Sequence, residues 1–114
     1  MTHQEVEKYI MSMPGTKLDY PFGEGVAVYK VDDPSTSSGQ AKMFALITEG
    51  KTPVQISLKC DPLLAETLRQ KYESVLSGYH LNKKHWNTII LSGQLEEQEV
   101  KDLIRHSRQL VSDY

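Results

Sequence analysis

The chain of 114 residues has one cysteine and one tryptophan. A lone Cys60 rules out an intrachain disulfide and fits a reducing compartment, where it reads as a small, half-buried hydrophobe. No apolar run approaches the roughly 18 residues that a membrane span needs. The first residues, MTHQEVEKYIMSMPG, carry early acids and no apolar core, so no secretory signal is expected. These absences lead to an expected cytoplasmic location and no membrane partner.

Charge of one sign is missing too. The formal net charge is −2, which by itself argues against a dedicated nucleic-acid binder. Its distribution is less even. Residues 59–86 hold Lys59, Arg69, Lys71, Lys83 and Lys84 against Asp61, Glu66 and Glu73, and form the only net-positive quarter. His80 and His85 add positive charge there when protonated.

Several chemistries lack their residues. There is no HExxH, no paired CxxC and no clustered ligand set, so no metal is expected. No GxSxG elbow occurs, and the glycines form no phosphate-cradling loop. The pair Glu96-Glu97 opens a helix, where its dipole accounts for them. The expected protein is not an enzyme and needs no cofactor.

What is present is the material of one ordinary domain spanning 1–114, with 39% hydrophobic and 25% charged residues. Thr2 and Glu5 have the form of a capping box, followed by Val6, Tyr9, Ile10 and Met13 at helical spacing and a Pro14-Gly15 stop. Tyr20-Pro21-Phe22-Gly23 reads as a turn. Strands are expected at Gly25–Val31, Met43–Thr48, Val54–Leu58 and Trp86–Leu91 from their β-branched residues and alternation. The polar stretch Asp33–Gln40 reads as a flexible loop. Asp61-Pro62 starts a second helix whose apolar face is read as Leu63, Leu64, Leu68 and Tyr72. A last helix, Leu95–Val111, carries Val100, Leu103, Ile104 and Val111 as its stripe, with Leu110 beside it. Strands in runs between helices give an α+β expectation: an antiparallel sheet of four or more strands with helices packed on one face.

The remaining chemistry sits in GYHLNKKHWNTIIL, residues 78–91. Asn82, Lys83, Lys84 and the histidines can donate to phosphate oxygens. Trp86 offers either a stacking face or, at the start of a strand, a core side chain. A bland alternative is that Lys83-Lys84 is a solvated turn and His85 a local cap.

That block, with YPFGEGVAVYKV (20–31), KMFALI (42–47), ISLKCDPLLAE (56–66) and LIRHSRQLV (103–111), resembles the MmcQ/YjbR family over nearly the whole chain. The resemblance implies a compact fold likened to the CyaY, frataxin-like arrangement and described as a double-wing DNA-binding architecture. Double-stranded DNA is thus the implied partner. Two features depart from the family pattern: the Asp33–Gln40 insert replaces a tight glycine turn, and Arg108 stands where an aromatic is common.

The expectation is a monomeric domain that binds DNA weakly and without sequence preference. Its expected contacts are Lys59, His80, Asn82, Lys83 and Lys84, with His85 and Trp86 shaping the surface. The alternative is a protein-interaction or small-ligand module using the Tyr20–Gly23 and Tyr79–Trp86 aromatics. A frataxin-like metal carrier is disfavoured, because Glu5 and Glu7 lie two apart and do not share a helix face.

Overall fold

The computed structural model describes residues 1–32, 41–78 and 81–112. Asp33–Gln40, Tyr79 and His80 lie outside the described residues, and with them the expected flexible loop and one expected contact. Helix α1 (His3–Met11) begins at the capping box: Thr2 Oγ1 accepts from the Glu5 amide, and Glu5 Oε1 accepts from the Thr2 amide. Strands β1 (Thr16–Asp19), β2 (Val26–Asp32), β3 (Ala41–Thr48) and β4 (Gln55–Lys59) follow as an antiparallel meander. Helix α2 (Pro62–Lys71) starts on Asp61, whose carboxylate accepts from the Leu63 and Leu64 amides. Then come β5 (Val75–Ser77), β6 (Trp86–Ile90) and α3 (Glu97–Ser112).

Among the described residues the fold is α+β, with one six-stranded antiparallel sheet in the order β1-β2-β3-β4-β6-β5 and three helices. Strand alternation sends Ala27, Tyr29, Val31, Ala45, Ile47, Ile56, Leu58 and Ile89 toward the helices. There they meet Val6 and Ile10 of α1, Ala65 and Leu68 of α2, and Val100, Leu103, Ile104 and Val111 of α3. Two expectations about this face need correction. Leu63 is 75% exposed, whereas the small Ala65 is fully buried, because α2 lies with that residue against β6. Cys60 is buried rather than half-buried.

The opposite face is not simply wet. Val28, Leu46 and Trp86 form a second buried cluster, with Val26, Met43 and Leu81 packed on it. The tryptophan is thus core, belonging to the face that the helices leave open.

A β-bulge shapes one end of this sheet. Tyr29 pairs with Ala45 but Lys30 pairs with Met43, so Phe44 is the extra residue on β3. Its carbonyl accepts from Ser107 Oγ of α3 at 2.5 Å, and that serine Oγ in turn accepts from the Lys59 amide at 2.9 Å. One buried serine therefore pairs two backbone groups and ties the last turns of α3 to the end of β3 and β4.

Candidate nucleic-acid interface

The expected contacts that lie among the described residues gather where β4 ends and β6 begins. Lys59 is the register partner of Trp86, and both side chains project from the open face. Between Gly78 and Trp86 the chain turns on Asn82. Its carbonyl accepts from the His85 and Trp86 amides at 3.2 and 2.9 Å, and its side-chain Oδ1 accepts from the Lys84 amide at 2.9 Å. An Asx-type turn of this kind uses the two acceptor oxygens of Asn82 locally. Asn82 is therefore first the builder of the turn.

That turn is fastened on three sides. The His85 carbonyl accepts from the Cys60 amide at 2.7 Å, and the Trp86 carbonyl accepts from the Gly78 amide at 2.9 Å. Arg69 of α2 reaches across from beneath. Its Nη1 donates to the Lys83 carbonyl at 3.1 Å and to Asn87 Oδ1 at 2.7 Å. Asn87, 2% exposed, uses its Nδ2 to donate to the Ala65 carbonyl. The sequence reading missed both Arg69 and Asn87. Asn87 did leave a signal: a lone amide inside WNTII, on the face that the register sends toward the helices.

Trp86, 7% exposed, presents no stacking face and supports the turn from below. Gly78 makes room for it: a Cβ at position 78 would stand 2.8 Å from Trp86 Cβ, closer than such atoms approach. Lys83 and Lys84 are exposed and His85 is half-buried. Among the described residues, none of Lys59, Lys83 and Lys84 has an ion-pair partner.

The register also sorts charge along the strands. Lys17, Lys42 and Lys59 stand at the end of the sheet that carries Lys83 and Lys84, and Ser107 brings the α3 turn holding Arg105 and Arg108 to the same end. Lys17 is offset there by Asp32 at 2.9 Å. Glu24, Glu49 and Glu73 stand at the far end against Lys51, with Glu96 and Glu97 at the start of α3. Lys30, the register partner of Lys17 on β2, is paired with Asp19, whose carboxyl the Tyr20 amide and Lys30 hold below its ordinary value. The molecule is thus electrically lopsided although its net charge is small.

Among the described residues, the aromatics of the alternative module do not share a site. Tyr20 and Phe22 sit in the β1–β2 turn at the far end, where Tyr20 donates to Glu49 at 3.1 Å. Trp86 is buried at the near end. Among the described residues no group of three His, Cys, Asp or Glu side chains could hold a metal ion, and no helix is long and apolar enough to cross a membrane.

Comparison with known proteins agrees with this architecture. The YjbR family model matches residues 11–110. The uncharacterized protein YjbR of Escherichia coli strain K12 is 34% identical over 109 residues, covering 96% of this chain and 86% of its own. YbdF of Escherichia coli O157:H7 is 32% identical over 111 residues, covering 97% and 84%. Among solved structures, Deinococcus radiodurans DR2400, with a DUF419 domain, superposes with a TM-score of 0.87 at 35% identity, over 96% of this chain and 78% of that one. A Pseudomonas syringae protein gives 0.77 at 32% identity, over 97% and 99%. On sequence and fold alike, this chain belongs to the YjbR family.

Proposed function

We propose that this protein is a binding protein rather than an enzyme, and that it binds double-stranded DNA weakly, through phosphates, at the Lys83-Lys84 turn. The carrying observation is that two unpaired, exposed lysines ride on a backbone held by Asn82, Cys60 and Arg69, with Lys59 beside them. Fixed cations need less ordering on binding than floppy ones. The basic end gives an approaching polyanion a preferred side, and the acidic far end repels it elsewhere. Shape and base edges play little part in this reading, since among the described residues Lys83 and Lys84 sit on a turn and not on a helix; phosphate contact alone carries no sequence preference.

Three lysine contacts give a slope of log affinity against log salt of about −2.7, and a dissociation constant at physiological salt of about 10⁻⁴ to 10⁻⁶ M. Fluorescence anisotropy with generic duplex DNA at stepped salt tests this. Lys83→Ala with Lys84→Ala should reduce the slope by about 2 and weaken all sequences alike. Salt-insensitive binding by the parent, or unchanged binding by the double variant, would refute the DNA reading. A protein contact through the turn carrying Phe22, 62% exposed, would then be the better account.

A further inference from the structure

A groove of about 370 Å³ runs between the end of α1 and the last turns of α3, lined by Tyr9, Met13, Pro14, Arg105, Arg108 and Gln109. Its size lies at the small end of ligand sites, about 300–1,000 Å³. Its floor is apolar, from Met13, Pro14 and the Tyr9 ring. Its wall carries two guanidinium groups, on adjacent turns of one helix.

Those groups are only partly used. Arg108 Nη2 donates to the Pro14 carbonyl, and Arg105 Nη2 pairs with Asp102 Oδ1. Each guanidinium has five N–H donors, so most of the fork remains. Among the described residues, Arg108 Nε is buried with no hydrogen-bond partner, and so is Thr16 Oγ1. Gly15, the neighbour of Thr16, lies beside the Arg108 guanidinium. Native folds leave few buried polar atoms unpaired, and such atoms point to an absent partner. The charge census agrees. Lys101 lies 5.3 Å from the centre of the Tyr9 ring and is offset by Glu97 at 3.7 Å, while among the described residues Arg105 pairs with Asp102 and Arg108 with no carboxylate.

We propose that this groove binds a small organic anion, with its oxyanion on the Arg105 and Arg108 forks and its apolar body on Tyr9, Met13 and Pro14. Arginine forks match carboxylate and phosphate geometry two bonds at a time, and that oxyanion is the chemistry recognised. The site is distinct from the Lys83-Lys84 turn and needs no nucleic acid.

The test is a nitrogen–proton correlation titration of the full chain, including the arginine Nε–Hε resonances, at fixed ionic strength. Its probes are benzoate, phenyl phosphate, inorganic phosphate and benzyl alcohol. Benzoate or phenyl phosphate should move the Arg108 Nε and Tyr9 resonances with saturation in the range of about 1 mM, and their order tells carboxylate from phosphate. Inorganic phosphate should bind at least about fivefold more weakly, and benzyl alcohol should not saturate. Arg105→Gln, at an exposed position, should weaken the better probe at least about fivefold; Arg108→Lys keeps the charge but loses the fork and should abolish saturation. No saturable shift by about 20 mM probe, equal affinity in Arg105→Gln, or shifts confined to Lys83 and Lys84 would each overturn the proposal.

Discussion

Replacing Arg69 with methionine keeps the aliphatic stem and removes the two bonds that hold the lysine turn to α2. The Lys83 carbonyl is near solvent and can take water instead. Asn87 cannot: at 2% exposure, its Oδ1 would lose a 2.7 Å charge-assisted bond and stay dry. A hydrogen bond to a charged group contributes about 1.5–3 kcal/mol, and an orphaned buried acceptor costs about 1–3 kcal/mol. These overlap, so Arg69→Met should destabilise by about 2–4 kcal/mol. Asn87→Leu removes the acceptor itself and also the bond to the Ala65 carbonyl. In the double variant no orphaned amide oxygen remains, so its loss should fall short of the summed single losses by at least about 1 kcal/mol. Urea denaturation of the four proteins measures this cycle, and amide exchange at Lys84 and His85 should quicken in Arg69→Met. Additive losses, within about 0.5 kcal/mol, would mean that Arg69 does not hold Asn87 and that the turn is not anchored as described.

Other outcomes follow from single contacts. Gly78→Ala drives a Cβ into Trp86 and Leu81 and should cost about 1–3 kcal/mol by overpacking, read as a lowered Tm. Trp86→Ala should cost about 3–5 kcal/mol, since the indole is core; a near-neutral change would return it to the surface. Burial pushes the Cys60 thiol from its ordinary 9.0 up to about 11. The folded state thus favours the protonated thiol, so this contribution is complete below about pH 9 and lost as pH rises toward about 11, amounting to about 2–3 kcal/mol. Denaturation at pH 8 and pH 10.5, with reductant present, should show a fall that is smaller in Cys60→Ala; equal falls would refute it.

Much of the frame was legible because it depends on local chemistry. Thr2 with Glu5, and Asp61 with Pro62, mark helix starts wherever they occur, and the β-branched runs around Val28, Ile47 and Ile56 suit a pleated surface. The two edge strands were not legible. TKLD has one apolar residue in four and VLS is three residues long, so their pairing comes from neighbours rather than from pattern. Leu63 and Ala65 exchanged places for a similar reason: hydropathy favours the leucine, but the close approach of β6 at Asn87 admits only the smaller residue. At the candidate site the exposed lysines could be read directly. Arg69 could not, because its partners lie 14 and 18 residues away and only the β4–β6 pairing brings them within reach.

The strand order also bears on how the chain comes together in time. From β1 to β4 each strand pairs with its predecessor, so loop closure is short and the meander can form early. β6 instead reaches back past α2 and β5 to β4, the one non-sequential neighbour in the sheet. That pairing sets Lys59 beside Trp86 and brings Cys60 to the His85 carbonyl. A chain with only its meander formed would carry Lys83 and Lys84 on an untethered segment. The basic turn is therefore a late product of assembly, and its geometry reports that β6 has docked.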